Sequence, residues 1–142
     1  MVDAGKAIKQ ELSQDKETAK RWLLNYDGRR QQYFEAQKSR SKSPFNNMSM
    51  AEAGRWLKVV ELVQGTLSEN RLLFLRLRRQ ANRDKGIINW VPFVQQAYAG
   101  IMAEKHGGKE ASFWMSEGTL YKWWGDMVEE ARLIAYKKQC KF

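Results

Sequence analysis

One recurring pattern constrains the fold of this 142-residue chain more than any other. A small polar residue able to cap a helix is followed by apolar residues three and four apart. "SMAE" at 49–52 has the Ser-x-x-Glu form of a capping box, in which Ser49 accepts from a free backbone N–H and Glu52 reaches back to the cap. Ala53, Trp56, Leu57, Val60 and Val63 then mark one face of a helix ending near Gly65. Ser68 opens "ENRLLFLRLRRQANR", where Leu73, Leu75 and Leu77 also alternate as in a strand. Its length, its Leu and Arg content, its lack of β-branched residues and its cap predict helix. After a turn at "DKGII", 84–88, Asn89 caps a helix that tolerates Pro92 in its first turn. Phe93, Val94, Ala97, Tyr98, Ile101 and Met102 give that helix its apolar face, and "HGGKE", 106–110, stops it. Ser116 opens the last helix, to about Lys138.

The first third is less regular. Residues 1–15 read as a frayed helix. Ala19, Trp22, Leu23, Tyr26, Tyr33 and Ala36 then lie at helical spacing, with a bend or break expected at Asp27-Gly28. "SRSKSPFNN", 39–47, has the composition of a linker. The expected architecture is all-α, with N-terminal helices followed by a C-terminal helix-turn-helix unit. The expected division is a basic helical region and linker at 1–45 and a helical domain at 46–142, its helix pair at about 89–138.

Composition narrows the function. Hydrophobic residues make up 43%, with six tryptophans, five tyrosines and six phenylalanines, enough to fill a core. The net charge of +9 favours polyanions, nucleic acid foremost. Cys140 and His106 are the only residues of their kinds, which excludes a Cys/His zinc site or a disulfide within one chain and fits a reducing cytoplasm. The first residues lack a leader's apolar core, and no apolar run approaches the roughly 20 residues needed to cross a bilayer, so no membrane partner is expected. No enzyme signature, metal site or cofactor motif emerges. Gly107-Gly108 lacks the Gly-Lys-Ser/Thr ending of a phosphate loop, and His106 beside it reads as a loop residue. Asp126, Glu129 and Glu130 read as a solvated face, and Cys140 has no histidine nearby in sequence.

The last helix carries the most functional information. Leu120, Trp124, Met127, Val128, Ala131 and Ala135 form its inward stripe, with Ile134 beside it. The opposite stripe is Gly118, Lys122, Gly125, Glu129 and Arg132. A mid-helix glycine costs about 1 kcal/mol relative to alanine, so something offsets Gly125: close approach of a DNA backbone, or close packing of another helix. In a helix-turn-helix the leading turn of the second helix enters the major groove. Ser116 would cap that turn. Glu117 can then accept from cytosine N4, Lys122 can donate to guanine or phosphate, and Tyr121 can reach phosphate, beside the bare Gly118. Thr119 either contacts phosphate or reinforces the cap. Residues 89–142 hold seven Lys/Arg against six Asp/Glu, so backbone affinity must come partly from elsewhere. Arg76, Arg78, Arg79 and Lys105 are the expected anchors. Trp56, Trp90 and Trp124 read as core, and Trp22 as burial against another subunit. Trp114 and Trp123 either plug the joint between the last two helices or stack on bases.

"SEGTLYKWWGDMVEEARLIA" resembles the second helix of sigma-factor region 4, with its Ser-x-x-Thr-aliphatic-Tyr-basic-aromatic run. The order of an N-terminal helix, an "LRLR" helix, a tryptophan-started helix and this last helix resembles the ArpU/RinA-type phage transcription regulators, best over 70–138. The segment from Gly107 to Met115 lengthens the turn relative to that pattern. The resemblance implies phage late-gene activation in a bacterial host cytoplasm; the expected activity is sequence-specific binding of double-stranded DNA by a monomer or homodimer, and the basic N-terminal helix could add a second DNA contact or bind RNA polymerase or a second copy. Two alternatives stand beside it: a small phage packaging (terminase) subunit, and a helical adaptor binding a protein through Trp22, Tyr26 and Tyr33.

Overall fold

Capping decides where the helices begin. In a computed structural model that describes residues 4–142, with side chains from Gln14 onward, Ser49 Oγ accepts from the Glu52 N–H at 3.1 Å and the Ser49 N–H donates to Glu52 Oε2 at 3.3 Å. That reciprocal pair opens α3, Met50–Thr66. Ser68 Oγ accepts from the Arg71 N–H at 3.3 Å and opens α4, Glu69–Arg83. Asn89 Oδ1 accepts from the Val91 N–H at 3.1 Å and opens α5, Trp90–His106. Gly107, at φ +67°, ends α5 in the left-handed conformation, and the Gly108 N–H returns to Ala103 O at 3.1 Å. The last helix, α6, is Glu117–Lys137. Among the described residues there is no strand, and no helix is long and apolar enough to cross a membrane.

The first helical stretch divides earlier than expected. α1, Ala4–Leu24, and α2, Tyr26–Ser39, meet at Asn25, not at Asp27-Gly28. Asn25 has φ −105° and ψ 16°, and its side-chain amide donates to Arg21 O at 2.9 Å, the same carbonyl its backbone N–H uses. A side chain that competes for a helical carbonyl loosens the turn there. Gly28 continues α2 without a break.

The chain forms two compact units: residues 1–65 with 127–142, and residues 66–126. The expected boundary after residue 45 does not coincide with this division, because the N-terminal helices share a core with α3. Trp22 and Trp56 lie parallel, interplanar angle 2°, with centroids 6.0 Å apart. Both are fully buried, so Trp22 is covered by its own chain and not by another subunit. The Trp56 indole N–H donates to Lys141 O at 2.7 Å, and Phe142 meets the Trp56 ring edge-on. Phe45, from the 39–47 segment, sits 5.5 Å from Trp22, so that segment packs as well as connects. The buried Tyr26 hydroxyl donates to Glu61 Oε1 at 3.2 Å. Tyr33 lies so close to α3 that a Cβ at Gly54 would meet its hydroxyl at 3.0 Å.

In the second unit Phe74 is fully buried, with edge-on contacts to Trp90 and Trp123 at 6.1 and 5.9 Å. Tyr98 meets Trp123 at 6.4 Å. The aromatic knot thus joins α4, α5 and the first half of α6.

Trp22→Ala is expected to lower stability by about 3–5 kcal/mol, with a urea midpoint that does not depend on protein concentration because no partner covers the ring. Ser49→Ala should cost about 1 kcal/mol through loss of the cap, read in the same titration.

Candidate functional site

The leading turn of α6 is built by two hydroxyls. Ser116 Oγ accepts from the Thr119 N–H at 3.1 Å and lies 2.9 Å from Thr119 Oγ1. Thr119 is half-buried and serves the cap, taking the place of the glutamate in a capping box. Upstream, the Gln95 side-chain amide donates to Met115 O at 3.0 Å and ties the approach to α5. A short 3-10 turn, Glu110–Phe113, precedes it, with Phe113 stacked on His106 at 5.7 Å. Ten residues, 107–116, therefore separate α5 from α6, against the three or four of a compact helix-turn-helix.

The stripe expected to face inward does so throughout: Leu120, Trp124, Met127, Val128, Ala131 and Ala135 are all buried. The opposite face is open at its start. Ser116, Glu117, Gly118, Lys122 and Gly125 are exposed. A Cβ added at Gly118 or Gly125 would meet nothing within 4 Å. Among the described residues no helix packs against Gly125. A helix start leaves N–H groups without intrahelical partners and carries the positive end of the dipole, so this turn favours a negative group.

Several expected contact residues are held by the protein itself. Tyr121 is half-exposed, but its ring stands edge-on against Trp90 at 5.4 Å, leaving its outer edge and hydroxyl as the part available. Arg78 lies over Trp90 at 4.5 Å and over Trp124 at 4.8 Å. Its Nε is buried with no hydrogen-bond partner. Desolvation pulls its pKa down to about 10, with Tyr121 acting in the opposite direction, so it stays charged at neutral pH. Arg79 is buried, with 9% of its surface exposed. Neither presents the open guanidinium expected from the sequence. An LRLRR run on a helix packed on both sides must turn some arginines inward, which periodicity alone does not reveal. Arg76 and Lys105 are exposed and line one shallow groove with Glu69, and Lys105 Nζ lies 3.7 Å from Glu69 Oε2.

The tryptophans separate. Trp123 is half-buried, with Arg71 over its ring at 5.1 Å, and Arg71 also donates to Asp126 Oδ2 at 3.4 Å. Trp114 remains 52% exposed. No family model matches this chain, and no curated protein or solved structure is significantly similar to it. Cys140 is buried, and desolvation raises its pKa, with Arg55 and Lys138 opposing more weakly. Among the described residues, no three His, Cys, Asp or Glu side chains converge to hold a metal.

Because an added Cβ at Gly125 meets none of the described residues, Gly125→Ala should raise stability by about 1 kcal/mol, read as a higher urea midpoint. Leu120→Asp should unfold the second unit by placing an unpaired charge in its core, seen as loss of near-ultraviolet circular dichroism.

Proposed function

We propose that this protein is a sequence-specific, double-stranded DNA-binding transcription regulator of the kind its last helix resembles, a phage late-gene activator. The leading turn of α6 docks in a major groove, as the second helix of a helix-turn-helix does. The single observation that carries this reading is the open face of α6. It combines a hydroxyl-capped start, two exposed glycines with no described residue within 4 Å of an added Cβ, and one exposed lysine between those glycines. A helix that presents bare backbone beside a cation can approach phosphate closely, where a larger side chain would hold it off.

The contact set follows from exposure. Lys122 and Glu117 face base edges or adjacent phosphate, Gly118 and Ser116 admit the backbone, and the Tyr121 hydroxyl reaches phosphate. Arg76 and Lys105 supply the flanking charge; Arg78 and Arg79 do not take part. The ten-residue connection before α6 makes this an extended version of the motif, with the same helix entering the groove. The adaptor alternative loses its support, because Trp22 and Tyr26 are buried and Tyr33 packs on α3.

Selection from a random duplex pool should return a consensus, and affinity for it should fall steeply as salt rises. Lys122→Ala should weaken the consensus duplex by about tenfold at unchanged helicity. Gly125→Ala should weaken the same duplex while stabilising the fold, a combination that loss of structure cannot produce. Absence of a consensus, or equal affinity of the lysine variant for target and random duplex, would overturn the proposal. Sedimentation should give a monomer or dimer; a large ring would point instead to a packaging subunit.

A further inference from the structure

Most of the net charge lies away from α6. The unit of residues 1–65 and 127–142 holds sixteen Lys/Arg against ten Asp/Glu, whereas residues 66–126 hold nine against six. Within the first unit the charge converges on a cavity of about 530 Å³ between α1, α2, the 44–48 loop and the last two residues. That volume falls within the usual range for small-molecule sites.

Its walls carry the side chains of Arg21, Arg29 and Lys141 and, among the described residues, no Asp or Glu side chain. Among the described residues Arg21 and Arg29 have no ion-pair partner, and Lys141 meets only Glu52, at 4.0 Å and with the lysine side chain largely exposed. The two arginines are close enough to oppose each other: after desolvation, the charge of Arg21 is the second cause that lowers the Arg29 pKa. Arg29 is held in place by Trp22, 4.4 Å from its guanidinium. Two like charges gathered at one cavity repel each other, and an entering anion relieves that repulsion. The same walls offer the side-chain amides of Asn46 and Asn47 and the aromatic rings of Phe45 and Phe142, Phe45 half-buried and Phe142 40% exposed. Amides and open ring surface beside a cationic end match a base attached to a phosphate.

We propose that this cavity binds a nucleotide, its phosphate against Arg21 and Arg29 and its base against Phe45 and Phe142. The site is separate from the α6 surface and does not depend on the duplex proposal. Free mononucleotides and nucleotides within a single strand share this chemistry.

Calorimetric titration of the whole protein with thymidine 5′-monophosphate, thymidine and a 5′-phosphorylated pentathymidylate tests it. The monophosphate should bind at least about tenfold more tightly than thymidine, the effect of charge-assisted hydrogen bonds. Arg21→Gln should remove that difference; Arg21 is exposed, so its loss leaves the core intact. Arg29→Gln should do the same, and Lys122→Ala should change nothing. A pentamer bound no more tightly than its five equivalent positions account for assigns the free nucleotide; tighter binding assigns the strand. Failure of the monophosphate to bind, equal affinity for thymidine, or unchanged binding in both arginine variants would overturn the proposal.

Discussion

Guanidinium groups lying over indole rings are the interaction on which this structure depends. Arg29 covers Trp22, Arg71 covers Trp123, and Arg78 spans Trp90 and Trp124. Each cation meets the negative face of a large ring that is itself part of a core. These arginines over rings brace the packing within their own unit. Arg78 shows the cost, with a buried Nε that finds no hydrogen-bond partner. Arg29 packs on Trp22 and still lines an open cavity.

The second organising element is the way α6 serves two purposes along its length. Its apolar stripe is buried from Leu120 to Ala135. Its first turn is capped by Ser116 and Thr119, and two of the positions on its outer face are glycine. A buried stripe holds the helix rigid, and a bare leading turn leaves polar backbone presented to solvent. Rigid support behind an open polar surface is the arrangement that recognition requires. Farther along the same face the bareness ends, where Glu129 and Arg132 pair at 2.7 Å.

Much of this was legible in the residues. The Ser49, Ser68, Asn89 and Ser116 caps all form, because each depends on a hydroxyl or amide two or three residues from the N–H it accepts. The inward stripe of α6 was equally readable, since helical spacing alone places it. Other features were not. Asn25 breaks the first helix through one side-chain bond to Arg21 O, whereas Gly28, the expected breaker, continues its helix. Trp22 looked like a residue awaiting a partner chain because its own helix has a thin stripe; its cover comes from Trp56, far along the sequence. The cavity of Arg21, Arg29 and Lys141 gave no signal, because its cations come from three separate segments.

The sequence by itself therefore determined the helices, their starting points and which face of each turns inward, since these follow from interactions reaching no farther than four residues. Only the tertiary structure decided which cations remain open to a ligand. Whether an arginine meets an indole, a carboxylate or water depends on what other segments bring beside it, and no local spacing encodes that.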